Sequence, residues 1–491
     1  MKFLGLRLCD HDSNISYSDG KKIKYFKSER KYQIKHHGYE NFFDFLQDIK
    51  HWNIDYKKLD AICICADSWN LKEKVFGDTN YQLLKENFLN ISNCPIYFIE
   101  HHYAHKLSLW PLIETNKSET DYVFDGIGDF ERTSTVFKKD VSLDYMTSPE
   151  EESIGRILCR IGKKIGLTGH DLDLSGKVMA LMSYGNIDKS FVEQNKNYSL
   201  KDLKKIYDKT NWKNKNDFDW LTSTHYITEN KFLEYFLKFS NRSDIITYSG
   251  GVAQNCVINS KLKNHFKNLI IPPHCNDDGL SLGCIELLRI IFNQENFDTD
   301  NFPYWQDDEE PNNIPNTETI EKISEFLAKG KIIGWYQGKG EIGPRALGNR
   351  SIILNPLIKN GKQILNEKIK KRETFRPYGA SIIENHTSDF FECDFLSEYM
   401  LYAVKIKNKD LFPSISHVDG TCRIQTVSNN KNEIYYNLLN SFFEKTGIPL
   451  LLNTSLNING KPIASTMNDA IELFKNSDMD VLCLGNEIYK K

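Results

Sequence analysis

No apolar run in this 491-residue chain reaches the roughly 18 residues that a membrane-spanning helix needs. C-x-x-C pairs are also missing, and the eleven cysteines are odd in number and scattered, which argues against a disulfide framework and against a zinc ribbon. Neither sign of charge dominates. Lys and Arg total 63 against 66 for Asp and Glu, a formal net charge of -3, so nothing points to a polybasic membrane anchor or a nucleic-acid coat. With 40% hydrophobic and 26% charged residues, the composition is that of a globular protein, not a disordered or collagen-like one. The opening Met1-Lys2-Phe3-Leu4-Gly5 reads as a strand rather than a signal peptide. The expectation is a soluble, cytoplasmic protein with neither membrane nor nucleic-acid polymer as partner; a homodimer is left open. Its length suggests about three structural units.

What is present is α/β punctuation. Residues 3–27 alternate apolar and polar positions around short turns, including Asp19-Gly20, and predict a three-stranded meander. Helices are expected at 41–50 and 101–111, and strands at 59–66, 95–99, 122–124 and 244–248. Cys63 and Cys65 alternate within AICICA as buried strand thiols would. Residues 186–240 read as a helical insertion. At 293–318 Pro, Asn and acidic residues replace periodic apolar ones, the mark of a linker. A helix at 319–329 and a strand at 331–335 then open a second unit.

Four groups of residues could carry chemistry. In His101-His102-x-x-His105, the i and i+4 imidazoles share one helix face, so His101 and His105 can address one ion while His102 points elsewhere. Asp125 and Asp277 end strands or open turns and would complete a mixed nitrogen and oxygen set suited to Fe(II), Mn(II) or Zn(II). The plainer alternative is a His-rich helix end and two turn-forming aspartates. The glycine turns DGIGD (Gly126, Gly128, Asp129) and SGGVAQN (Gly250, Gly251, Asn255) follow strands, where backbone N–H groups can cradle a phosphate; either could equally be a simple turn.

The third group is the densest. Arg345, Arg350, Arg372, Arg376 and Arg423 lie in Gly- and Pro-rich loops, where a guanidinium is free to fork around phosphate or carboxylate oxygens. One or two of them are expected to pair instead with Glu341 or Glu373. Asn453-Thr454-Ser455 ends the apolar run PLLL, a strand end where ligands bind. In the fourth group, His11 is flanked by Asp10 and Asp12 in the first turn and is a candidate general base, its pKa raised by the acids; otherwise it is a surface turn histidine.

These stretches resemble the NodU/CmcH-type O-carbamoyltransferases nearly end to end. The resemblance rests on HDSNIS, Glu29-Arg30 with Lys35-His36, EHHYAH, DGIGD, SGKVMALMSYG, SGGVAQNCVIN, NDDGLSLG, GEIGPRALGNRS, KKRETFRPYGAS, HVDGTCRIQTV and LLLNTSLNINGKPI. It implies an N-terminal domain of the actin-like ATPase fold (1–300), similar to the tRNA threonylcarbamoyl-adenosine synthase catalytic subunit. A linker (301–317) would join it to a YrdC-like α/β domain (318–491).

The implied reaction has two steps. Carbamoyl phosphate and Mg-bound ATP would form carbamoyl-adenylate among Arg345, Arg376, Arg423, Lys370 or Lys371, His417, Asn453 and Ser455. A divalent metal on His101, His105, Asp125 and Asp277, for which the resemblance implies Fe(II) ahead of Mn(II) or Zn(II), would anchor the adenylate while His11, assisted by Asp12 and Lys35, activates an acceptor hydroxyl. The mixed anhydride would have to be shielded from water. Departures at SERKYQIKHHG and ALMSYG bear on the acceptor pocket. Competing readings are a tRNA-modifying threonylcarbamoyl-adenosine synthase, a hydrogenase-maturation carbamoyltransferase, an actin-like sugar kinase and a non-catalytic nucleotide-binding protein of the same fold.

Overall fold

The computed structural model describes residues 1–39, 44–66, 80–83, 93–148, 150–208 and 218–491. They form two compact units. The first gathers Met1–Ser153, Ser243–Gln254 and Asn268–Asp307; the second gathers Ile154–Arg242, Asn255–Lys267 and Asp308–Lys491. Neither is contiguous in sequence.

The first unit holds two sheets. One is built from β1 (Phe3–Leu8), β2 (Asn14–Ser18), β3 (Ile23–Lys27), β4 (Ala61–Ala66), β5 (Tyr81–Leu83) and β6 (Ile96–Ile99), in the order β3-β2-β1-β4-β6-β5. The first three strands are the predicted antiparallel meander, and β1, β4 and β6 run parallel. The other sheet contains β7 (Thr120–Phe124), β8 (Arg132–Lys138), β9 (Val141–Thr147), β10 (Ile246–Ser249) and β11 (Leu269–Ile270), in the order β11-β10-β7-β8-β9. It repeats the plan, with an antiparallel meander whose first strand, β7, pairs in parallel with β10, which pairs in parallel with β11. This doubled arrangement is the actin-like ATPase fold.

Burial explains the strand sequences. The central strand β1 and its neighbour β4, AICICA, are buried at every position, as strands covered on both faces must be, so they read as continuous apolar runs. The apolar helix Leu280–Ile291 packs directly on β1. A Cβ on Gly5 would lie 2.3 Å from the Ser281 carbonyl oxygen, so only glycine admits this approach. The same helix touches His101–Leu107, where a Cβ on Gly283 would lie 2.1 Å from the carbonyl oxygen of Ala104. That contact fixes two site-bearing segments against each other.

The second unit carries an eight-stranded mixed sheet. Its strands are β12 (Ile333–Tyr336), β13 (Arg350–Leu354), β14 (Gly379–Ile383), β15 (Tyr402–Lys405), β16 (Thr421–Val427), β17 (Leu450–Ser455), β18 (Val481–Leu484) and β19 (Glu487–Lys490), in the order β15-β16-β14-β17-β13-β12-β18-β19. Period-two alternation divides its apolar runs between two cores. Leu451 and Ile353 pack with the helices Thr317–Ala328 and Glu433–Thr446, while Leu450, Leu452, Ile352 and Leu354 face the opposite core with Leu365, Phe412 and Phe474. Helices Ile154–Lys164, Asp171–Leu181, Lys189–Asn195, Leu203–Asp208, Asp219–Phe239 and Cys256–His265 also belong to this unit. They include the described part of the helical stretch 186–240. No helix among the described residues is long and apolar enough to cross a membrane.

Candidate functional site

The helix His101–Leu107 begins directly after β6, with Glu100 capping it by accepting the Tyr103 N–H. Its i, i+4 spacing turns His101 and His105 toward one point and His102 away, to Thr135 Oγ1 at 2.8 Å. Asp125 meets them from the end of β7, and Asp277 from the turn before helix Leu280–Ile291. One ligand atom from each of the four residues lies within 4.8 Å of every other, and all four side chains are buried. His101 Nε2 and His105 Nε2 stand 2.9 and 3.0 Å from Asp125 Oδ2, and 3.5 and 3.4 Å from Asp277 Oδ1.

These residues fit a divalent ion. Neighbouring groups hold both carboxylates so that one oxygen of each faces the imidazoles, as outer-shell partners do around a metal. Asp125 Oδ1 accepts the Gly126 and Gly251 N–H groups at 2.7 and 2.9 Å, and Asp277 Oδ2 accepts from Arg7 Nη2 at 2.8 Å. Burial alone would strip the proton from His101, but Asp277 and Asp125 overcome it and raise its pKa to about 10. Such a concentration of negative charge on buried imidazoles is what a cation would balance. Arg7 was not anticipated. Its signal was a charged residue inside the apolar strand FLGLRL.

His11 lies in the β1–β2 turn with its side chain 34% exposed and Nδ1 3.3 Å from Asp12 Oδ2. Burial pulls the His11 pKa down, but Asp12, Cys9 and Asp277 more than reverse this and carry it to about 12. Asp12 also contacts His36 Nδ1 at 3.0 Å and Lys27 Nζ at 3.4 Å. Lys27 is itself buried among Asp278 at 2.6 Å and Glu29 at 3.0 Å. Lys27 and Asp278 are further residues missed in the sequence, where a strand-terminal lysine and the second Asp of NDDG gave no distinguishing signal. Lys35 lies half-buried near His36 in the chain. Asn14 ties this turn to the four-donor site, because its Nδ2 donates to the carbonyl oxygens of Asp12 at 2.8 Å and Asp277 at 2.9 Å.

The glycine turns are built around Asp125. The amides of Gly126 and Gly251 are directed at its Oδ1, Gly250 adopts φ +89° with its own N–H on the Cys275 carbonyl, and a Cβ on Gly128 would lie 2.8 Å from His102 Nε2. Asp129 Oδ2 accepts the His101 N–H at 3.0 Å. Asn255 belongs to the second unit, where its Oδ1 caps helix Cys256–His265 through Val257 and Ile258.

In the second unit the five arginines separate. Burial lowers Arg372 to about 10, with Arg376 and Arg423 adding cationic repulsion, while Arg423 and Arg345 both oppose the burial that raises the Cys256 thiol. Arg376 and Arg423 thus act on Arg372, and Arg423 and Arg345 on Cys256, while the Arg372 guanidinium itself lies over the Tyr378 ring at 4.5 Å and donates to Asn366 Oδ1 at 2.8 Å and to the Pro377 carbonyl at 3.2 Å. Arg350 does not join them. Its guanidinium is fully buried over the Tyr336 ring at 3.6 Å and donates to the carbonyls of Gln337, Asn349, Glu309 and Gly338.

The acids divide likewise. Glu373 stands 3.7 Å from Arg376, whereas Glu341 Oε1 accepts the Leu347, Asn349 and Arg350 N–H groups and so shapes the loop that carries Arg345. Asn453 supports that loop, its Nδ2 donating to the Ala346 carbonyl at 3.3 Å and to Ser381 Oγ at 2.9 Å. Lys370 is spent on the Ser455 and Asn457 oxygens, and Ser455 Oγ donates to Asn457 Oδ1 at 2.7 Å; Lys371, at φ +50°, is exposed. His417 Nε2 donates to the Ala180 carbonyl at 2.9 Å.

Residues 324–491 match the model for the carbamoyltransferase C-terminus, and residues 66–238 and 193–285 match the one for the carbamoyltransferase N-terminus. MJ1051 of Methanocaldococcus jannaschii is 30% identical over 450 residues, covering 83% of this chain and 85% of its own. The chain belongs to the carbamoyltransferase family. The chain is also similar to the nodulation protein NolNO of Sinorhizobium fredii, 35% identical over 272 residues, and to a 3'-hydroxymethylcephem-O-carbamoyltransferase of Amycolatopsis lactamdurans, 32% identical over 251. Each alignment covers 50% of this carbamoyltransferase-family chain, and 40% and 48% of those relatives, so the chain spans about half their length or less. Among solved structures, full-length HypF in its phosphate- and nucleotide-bound form matches at a TM-score of 0.37 and 12% identity, over 60% of this chain and 56% of that one.

Proposed function

We propose that the chain is an O-carbamoyltransferase that consumes carbamoyl phosphate and ATP. In the first step carbamoyl phosphate, ATP and one water would give carbamoyl-adenylate, phosphate and pyrophosphate. In the second, a hydroxyl of a small-molecule, sugar or nucleotide acceptor attacks the carbamoyl carbon; the C–O bond to the acceptor forms, the bond to the adenylate phosphate breaks, and AMP leaves. The observation that carries this reading is the convergence of two imidazoles and two carboxylates on one point in a member of this family.

The proposed labour is divided between modules at 1–300 and 318–491. In the C-terminal module Arg345, Arg376 and Arg423, with exposed Lys371, bind and align the anionic oxygens of both substrates, where planar guanidinium forks suit phosphate; Arg372, held over Tyr378 and donating to Asn366 and the Pro377 carbonyl, adds only its charge. In the N-terminal module a divalent ion, for which Fe(II) is the first choice and Mn(II) or Zn(II) the alternatives, would be held by His101, His105, Asp125 and Asp277 and would supply positive charge against the leaving phosphate. His11 takes the hydroxyl proton. With Asp12 on Nδ1, its Nε2 is the nitrogen left for that transfer. Since neighbouring acids hold a proton on His11, that proton must leave before the hydroxyl can be activated.

The test is direct. Purified protein given ATP and carbamoyl phosphate should release pyrophosphate only when both are present, and with the right acceptor should yield AMP and a product heavier by about 43 Da, one carbamoyl in place of one hydrogen. Formation of ADP from ATP and a sugar alone would replace this reading with a kinase.

A further inference from the structure

The stretch SGKVMALMSYG, residues 175–185, takes no part in the steps above, yet its one charged residue is deeply placed. Lys177 lies on helix Asp171–Leu181 with 3% of its surface exposed. Its ammonium donates to Glu373 Oε1 at 2.5 Å and to the Thr168 carbonyl at 2.5 Å. Gly169, at φ +120°, follows that carbonyl, and a Cβ there would stand 3.2 Å from the ammonium. The backbone at 168–169 is thus folded around the charge.

Glu373 faces a second cation. Its Oε2 is 3.7 Å from Arg376 Nη1, too far for a hydrogen bond, and Arg376 keeps 27% of its side-chain surface exposed with one long contact of 3.4 Å to Asn459 Oδ1. Lys177 therefore neutralises the carboxylate through Oε1 and weakens its pull on Arg376, which stands at ion-pair distance from Oε2 without a hydrogen bond to it. We infer that Lys177 is a positioning residue for the anion pocket: by neutralising Glu373 it keeps the Arg376 guanidinium available to a phosphate-bearing substrate. The inference rests on the activation step proposed above. The physical reason is competition. Without Lys177 a part-buried carboxylate has Arg376 as its nearest cation, and the pair can close to bidentate geometry, withdrawing the arginine from the pocket.

The experiment uses the full chain and follows carbamoyl-phosphate-dependent pyrophosphate release at varied ATP and carbamoyl phosphate. Lys177→Met should raise the KM of at least one of the two anions tenfold or more, with kcat changed less. Combining it with Glu373→Gln removes the competitor along with the lysine and should return that KM to within threefold of wild type, a rescue that a purely structural lysine would not show. An unchanged KM in Lys177→Met, or a double variant no better than the single, overturns the inference. If Lys177→Met does not fold, the double variant, which removes the buried lysine and its carboxylate together, decides: KM within threefold of wild type supports the role and any larger rise refutes it. A wild-type protein that releases no pyrophosphate would instead refute the proposed activation step itself.

Discussion

Asp125 Oδ1 accepts the Gly251 N–H at 2.9 Å, and a Cβ on Gly251 would stand 2.8 Å from that same oxygen. The strand-to-helix turn after β10 thus serves as a backbone clamp on a carboxylate, and the clamp leaves Asp125 Oδ2 facing His101 and His105. A motif that reads as a phosphate cradle is occupied in aiming a candidate metal ligand.

Gly251→Ala should therefore impair metal binding without touching any ligand. Displacing an outer-shell partner costs on the order of 10- to 100-fold in metal affinity, and direct loss of a ligand in His101→Ala should cost more. Both are read by metal content after dialysis against a weak chelator. His101→Ala should lose carbamoylated product while still releasing some pyrophosphate. Metal retained at wild-type levels in His101→Ala would remove that residue from the set.

His11 gives a pH prediction. Burial lowers its pKa and Asp12, Cys9 and Asp277 raise it further, to about 12, so at neutral pH most molecules hold the proton that a base must lack. The transfer step should accelerate with pH between 7 and 9, up to about tenfold per unit, while pyrophosphate release does not share that slope. His11→Ala should cut transfer by about 10²- to 10⁴-fold. A transfer rate already level above pH 7 would show that these acids do not hold the proton.

Local elements were the legible part of this chain. The meander, the AICICA and PLLL strands and the HxxxH helix face follow from periodicity, because burial on one or two faces leaves a direct imprint on residue order. The doubling of the actin-like topology left none. Its two halves share a hydrogen-bonding plan between strands, which backbone pairing enforces without matching side chains, so no sequence repeat records it. Partners distant in the chain were equally hidden. Arg7 meets Asp277 and Lys27 meets Asp278 only because helix Leu280–Ile291 lies on β1, an approach that depends on Gly5 having no side chain. The five C-terminal arginines all read as loop residues, but Arg350 opens β13 and Arg423 lies within β16, and composition alone does not tell which guanidinium points at carbonyls.

Arg350 and Arg423 should behave oppositely when removed. Arg350 donates to four backbone carbonyls and stands 3.6 Å from buried Asp308, so Arg350→Ala strands acceptors and an acid in the interior and should cost about 3 kcal/mol or more. Arg423, half-buried on β16 with an Nε that has no hydrogen-bond partner among the described residues, should tolerate Ala with little loss of stability and instead abolish carbamoyl-dependent pyrophosphate release. Urea unfolding alongside the pyrophosphate assay separates the two. Normal release by Arg423→Ala would exclude it from substrate binding.

His274 should set part of the acid sensitivity. It is fully buried, its Nε2 donates to the Ser108 carbonyl at 2.9 Å, and burial, with a smaller push from His105, lowers its pKa from 6.5 to about 4. A depressed histidine pKa means that the unfolded chain takes up the proton first. The stabilisation is complete above pH 6.5 and is lost as pH falls toward 4, a loss of about 3 kcal/mol over that window. His101 has the opposite sign, with a pKa raised to about 10, and so acts above 6.5. In His274→Gln the amide can still donate to Ser108 but does not titrate, so urea unfolding at pH 7.0 and pH 4.5 should show a smaller acid loss than wild type by most of that amount. Equal losses in the two proteins would mean that His274 is not buried in its neutral form.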